Sequence, residues 1–231
     1  MTRINVIMLI MTAALLIFFF MAFRRPQVVP RGIQNVGEVA LDFVRVQIAE
    51  EILGHHAKRF TVLLTTMFFI VLAFNITGIL PLMHIAANSL IAVPLILGFS
   101  AYIAFNYAGI KQHGLKHYLQ MNLFPPGVPL PLYLLVTPIE AVSTFIFRPV
   151  TLTIRLVANM LAGHMLLVLF YGGANYLLFT SDSWLMKPLG VFSFVAGFAF
   201  TLFEILVAFL QAYIFTLLTA VYISGAVSEE H

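Results

Sequence analysis

Long apolar runs separated by short polar breaks dominate the chain, and the run lengths predict its elements. Ile4 to Phe23 is a 20-residue, predominantly apolar stretch closed by Arg24-Arg25-Pro26. At about 1.5 Å per residue it matches a hydrocarbon layer of about 30 Å. No small-residue cleavage site follows the apolar core, so a retained helix is expected and not a signal peptide. From Gly32 to about Ala57 the pattern changes: Ile33, Val36, Ala40, Phe43 and Val44 share one helical face, and Glu38, Asp42 and Arg45 share the other. That periodicity predicts an amphipathic helix lying along the membrane interface. Two more spans are predicted at Phe60 to Leu82 and Leu90 to Ile110. The last two runs, Leu132 to Tyr171 and Pro188 to Ser224, are too long for one upright crossing each. As a single helix the second would be about 55 Å long. Pro138 and Pro149 interrupt the first run without any turn sequence, so two long, strongly tilted helices are expected instead of four short ones.

The pattern therefore predicts an all-α, polytopic membrane protein with five crossings and one amphipathic interfacial helix. Composition agrees: 61% of residues are hydrophobic, 9% are charged, and the mean hydropathy is +1.02. So few charges leave no room for a separate soluble domain, and residues 1–231 are expected to form one membrane domain. The net charge of +3 is too small to imply a nucleic-acid partner. With no cysteine, disulfides, thiolate metal sites and cysteine catalysis are excluded. Lys and Arg set the orientation: positions 24, 25, 31, 45, 58, 59, 111 and 116 fall on one side of this topology, against Arg3 and Lys187 on the other. Basic loops stay in the cytoplasm, so the N-terminus is expected outside and the C-terminus inside.

Chemistry enters with an arginine in the middle of the fourth span. Arginine keeps its proton in proteins, and placing one near a bilayer centre costs about 2.5 to 3.5 kcal/mol on insertion scales. Arg155 is therefore a candidate functional residue. At about 100° per residue, Thr151, Arg155 and Asn159 all point within about 60° of Arg148, making one polar stripe on an apolar helix. On the last run Glu204 and Gln211 are seven residues apart and share a face. If the two long helices run antiparallel, Arg155 level with Gln211 and His164 level with Glu204 agree in register to within about 3 Å of rise. Nine residues separate Arg155 from His164, which puts them on opposite sides of an ideal helix, so His164 meets Glu204 through water or through a distortion at Gly163. An imidazole and a carboxyl can pass a proton, whereas a guanidinium can only hold its charge. That division suggests an aqueous proton path ending at a fixed cation. A secondary transporter binding an anionic substrate at Arg155 is the alternative, although it would call for repeated halves with discontinuous helices, and no repeat is visible.

Arg155-Leu156-Val157-Ala158-Asn159-Met160-Leu161-Ala162-Gly163-His164, with Phe203-Glu204-Ile205 and Leu210-Gln211-Ala212-Tyr213-Ile214-Phe215, resembles the subunit a family of F-type ATP synthases. Asn75-Ile76-Thr77-Gly78-Ile79-Leu80-Pro81 resembles an earlier signature of the same family. The resemblance implies a non-catalytic, proton-translocating stator without cofactor or metal, wrapped against a rotating ring of small c subunits and held by the peripheral-stalk subunit b. It implies a bacterial plasma membrane location. It assigns the essential arginine to Arg155, its polar companions to Asn159 and Gln211, and the titratable pair of the outer half-channel to His164 and Glu204. Asn75 and His84 would lie near the outer entrance. The segment from Glu140 to Arg148 is one residue longer than the family pattern, so Glu140 is not carried over.

Overall fold

The computed structural model describes residues 3–24, 27, 29–79, 91–123, 133–181 and 184–227, and among these the regular structure is helical with no strand. Helix α1 (Arg3–Phe23) is followed by α2 (Ile33–Val44), a π segment (Arg45–Glu50), the short α3 (Glu51–Leu53) and a 3-10 turn (Gly54–His56). Then come α4 (Ala57–Ile79), α5 (Ala92–His113), α6 (Leu115–Leu123) and α7 (Tyr133–Val142). A second π segment (Ser143–Phe147) joins α7 to α8 (Arg148–Asn175), a third (Tyr176–Thr180) ends α8, and α9 (Lys187–Val227) closes the fold. Five stretches are long and apolar enough to cross a membrane: Val6–Phe23, Ile33–Ile79, Ala92–His113, Leu135–Thr180 and Trp184–Val227. The five predicted crossings are thus present.

The two long helices are continuous, as expected. Pro138 and Pro149 bracket the Ser143–Phe147 π segment, so the lost backbone hydrogen bonds are absorbed as a widened turn and not as a break. Leu135–Thr180 holds 46 residues and α9 holds 41. At about 1.5 Å per residue both exceed 60 Å, roughly twice the thickness of the apolar layer, so neither can stand upright within it. They run antiparallel. Ser193 Oγ donates to the Phe170 carbonyl at 2.8 Å, and the Tyr171 and Thr201 hydroxyls are 2.9 Å apart. Farther along, the Arg148 guanidinium lies 5.3 Å from the Tyr222 ring centre.

The amphipathic helix forms, and the side that packs on protein coincides only in part with its apolar face. Ile33, Val36 and Val39 are exposed, whereas Gln34, Gly37 and Val44 are buried. Gly37 permits this, because a Cβ there would come within 3.0 Å of the Ala22 Cβ on α1. Gln34 is satisfied where it is buried: it accepts from the Gln27 N–H and donates to the Gln27 carbonyl, both at 3.0 Å. In lipid an apolar face needs no protein cover, so close backbone approach decides which side packs. The chain then turns at Gly54, whose φ of +50° suits glycine, and enters α4. The core lies where α4, α5, α8 and α9 meet, around Leu64, Phe105, Leu152, Leu156, Phe215 and Ile223.

Candidate functional site

Helix α9 is apolar over most of its surface, yet one buried face carries polar side chains among small and aromatic ones. Glu204, Ala208, Gln211, Ala212, Phe215, Thr216 and Thr219 follow one another at helical spacing and are all buried. The two threonines satisfy their hydroxyls on carbonyls one turn back, at 2.9 Å each. Glu204 and Gln211 are different: Glu204 Oε2 and Gln211 Nε2 are shut off from solvent, and among the described residues they have no hydrogen-bond partner. Between their levels, Asn75 of α4 is buried and donates from Nδ2 to the Ala208 carbonyl at 3.4 Å. Asn75 therefore stands against the middle of this buried face of α9. His84 lies outside the described residues.

Helix α8 supplies the opposing side. Its buried residues are Leu152, Thr153, Leu156, Met160, Gly163, Leu167 and Ala174. Gly163 is the contact for the acid, because a Cβ there would overlap the Glu204 carboxylate. The expected antiparallel register is met to within one residue, Gly163 and not His164 lying against Glu204. His164 is half-buried one residue on, and among the described residues it makes no hydrogen bond to Glu204. The carboxylate rests on bare backbone at Gly163.

Arg155 points elsewhere. It is exposed, with Thr151, Ile154, Ala158, Leu161 and Ala162 exposed around it and Asn159 half-buried. Among the described residues it makes no hydrogen bond or ion pair, the one ion pair being Arg45 with Glu50 at 2.8 Å. Gln211 turns inward and Arg155 outward, so the two share a level without touching. Glu204 and Arg155 thus occupy different surfaces of one helix pair.

A second polar region was not foreseen from the sequence. A cavity of about 680 Å³ is lined by Tyr118, Glu140, Thr144, Arg148 and Tyr222 among others. Tyr118 of α6 packs on α5, where a Cβ at Gly109 would overlap its ring, and its hydroxyl lies 3.1 Å from Asn106 Oδ1. Burial raises the Tyr118 pKa above the ordinary 10.0, with the Arg148 charge opposing that rise.

The sequence model of the family described as ATP synthase A chain matches residues 5–224. The chain is 54% identical to the ATP synthase subunit a of Rhodococcus erythropolis, over 99% of this chain and 84% of that protein. It is 45% identical to the subunit a of a Parafrankia species, over 91% of this chain and 70% of the relative, and 36% identical to that of Streptomyces lividans, over 93% and 75%. The chain belongs to the ATP synthase A chain family. In that family it is a multi-pass membrane protein and a non-catalytic subunit, in agreement with the resemblance carried by its two motifs.

Within this chain, the sequence indicated the levels of Glu204, His164, Arg155 and Gln211 but not their directions. Linear spacing gives height along a helix, whereas direction depends on where the neighbouring helix touches. Gly163 was the available signal for that contact: a residue without a side chain, level with the acid. Tyr118, Arg148 and Tyr222 come together from three helices, and no spacing within one run relates them.

Proposed function

We propose that the chain is the stator of the ATP synthase membrane sector, carrying protons through two aqueous half-channels to and from carboxylates on a rotating c-ring. The observation that carries this reading is the exposed, unpaired Arg155 on an apolar face of α8. A cation at membrane depth needs a counter-charge, and none of the described residues offers one, so the partner is another chain. At an effective dielectric near 20, a carboxylate about 4 Å from the guanidinium is attracted by about 4 kcal/mol. A ring carboxyl arriving there gives up its proton and cannot carry it past the stator. Leakage between the half-channels is blocked, and protons travel around the ring. One charge crossing 100 mV yields about 2.3 kcal/mol, so several must be summed by rotation for each ATP.

In the outer half-channel, Glu204 exchanges protons with His164 through water, and Asn75 holds the surrounding polar face. Asn159 and Gln211 accompany Arg155, and His84 belongs to the outer entrance. The peripheral-stalk subunit b anchors the chain. The membrane is the bacterial plasma membrane, with the N-terminus outside and the C-terminus cytoplasmic, as the Lys and Arg distribution requires. A transporter binding an anion at Arg155 fits less well, since α8 and α9 run unbroken past Arg155 and Glu204, where such a site uses interrupted helices. Arg155→Ala should abolish proton-gradient-driven ATP synthesis in membrane vesicles while the complex still assembles. Synthesis at the wild-type rate would remove Arg155 from this role.

A further inference from the structure

Arg148 and Arg155 are seven residues apart, which leaves their directions within about 20° of each other on an α-helix. Glu140 precedes Arg148 by eight residues, a spacing that would put it about 80° off in an unbroken α-helix. Yet Glu140 and Arg148 line the same cavity. The five-residue π segment Ser143–Phe147 lies between them. A π bulge houses one extra residue without advancing the rotation of the helix beyond it. Counted across the bulge, Glu140 stands two turns before Arg148, just as Arg148 stands two turns before Arg155. The three charged residues form one stripe about 20 Å long.

The inside of the bulge faces the same space. Thr144 is 1% exposed, it lines the cavity, and among the described residues its hydroxyl has no hydrogen-bond partner. A buried polar atom facing a polar cavity of this size calls for water. Arg148 is held against the Tyr222 ring without forming an ion pair with Glu140, so both charges stay available to that water.

We infer that the π turn Ser143–Phe147 is a register device, absorbing one residue so that Glu140 faces the water-filled cavity shared with Arg148 and falls in line with Arg155. The stripe extends the inner half-channel from the cavity toward Arg155. This channel role rests on the proposed function, but the placement of Glu140 does not.

The chain has no cysteine, so Glu140→Cys in the assembled complex gives one labelling site on this subunit. A water-soluble maleimide applied from the inner side should label it. Deleting the exposed Ile146 turns the π segment into ordinary helix with the register kept, and labelling should stay within about twofold. Inserting an alanine after Ile146 rotates position 140 by about 100°, and labelling should fall at least about tenfold. Loss of labelling in the deletion variant, or unchanged labelling in the insertion variant, overturns the register role. The deletion variant reports even if the insertion prevents assembly. With Glu140 retained, proton flow should survive the deletion and fail in the insertion. Labelling that follows this pattern while Arg155→Ala still makes ATP would overturn the half-channel reading and leave the register inference standing.

Discussion

Gly163 has no side chain, and the Glu204 carboxylate rests on α8 because of it. An alanine there would push the acid toward His164 or out of its seat, an overpacking that costs about 1 to 3 kcal/mol. Gly163→Ala should therefore slow proton flux through the complex, and Ala162→Gly, at an exposed neighbour, should not. Measured rates that are equal for the two variants would detach Glu204 from its seat. Glu204→Gln keeps the shape and removes the titrating group. It should slow proton-driven quenching of a pH dye in vesicles by at least about tenfold, in the range set by loss of a positioned acid-base group, without reducing the amount of assembled complex. Arg155 is governed by the opposite logic, since none of the described residues pairs with it to neutralise its charge.

Close approach between elements decides where α6 and α2 sit. Tyr118 lies over Gly109, and a Cβ at that glycine would also come within 3.1 Å of the Ala226 carbonyl, so one small residue joins α5, α6 and the end of α9. Gly109→Ala should displace α6 and destabilise this corner by about 1 to 3 kcal/mol. Faster amide exchange over residues 115–123, with α8 unchanged, is the expected result. The raised Tyr118 pKa gives the same corner a pH dependence. The neutral phenol is the form that fits the buried site, so its contribution is complete below pH 10.0, the ordinary tyrosine value, and is lost as pH rises through the higher folded-state value. The π segments belong at this scale as well. Eight residues from Glu140 to Arg148 look out of register as a sequence, and the widened turn that realigns them has no signature in residue type, because it answers to the prolines on either side and to the cavity it faces.

As a whole, the molecule exposes large apolar side chains on most of α1, α8 and α9, including Phe20, Leu169, Phe192 and Leu206. Lipid accounts for many of these, but not for a cation on the α8 face. A complex purified through this subunit in mild detergent should bring with it a ring of small two-helix proteins carrying membrane carboxylates, and its absence would leave Arg155 without the counter-charge that membrane depth demands. Five spans, the continuity of the last two helices, and their antiparallel register to within one residue of His164 level with Glu204 were legible in the sequence, because run length and helical rise are properties of single segments. The resemblance in the two motifs identified the family, and the comparisons agree. Direction was not legible: which way Arg155 and Gln211 turn at their shared level, why Gln34 and Gly37 pack while Ile33 and Val36 face outward, and how Tyr118, Glu140, Arg148 and Tyr222 enclose one cavity. In water, hydrophobic patterning would point to the buried face, but within lipid both faces of a helix can be apolar. Backbone approach at small residues then chooses the contacts, and only the tertiary structure determines those.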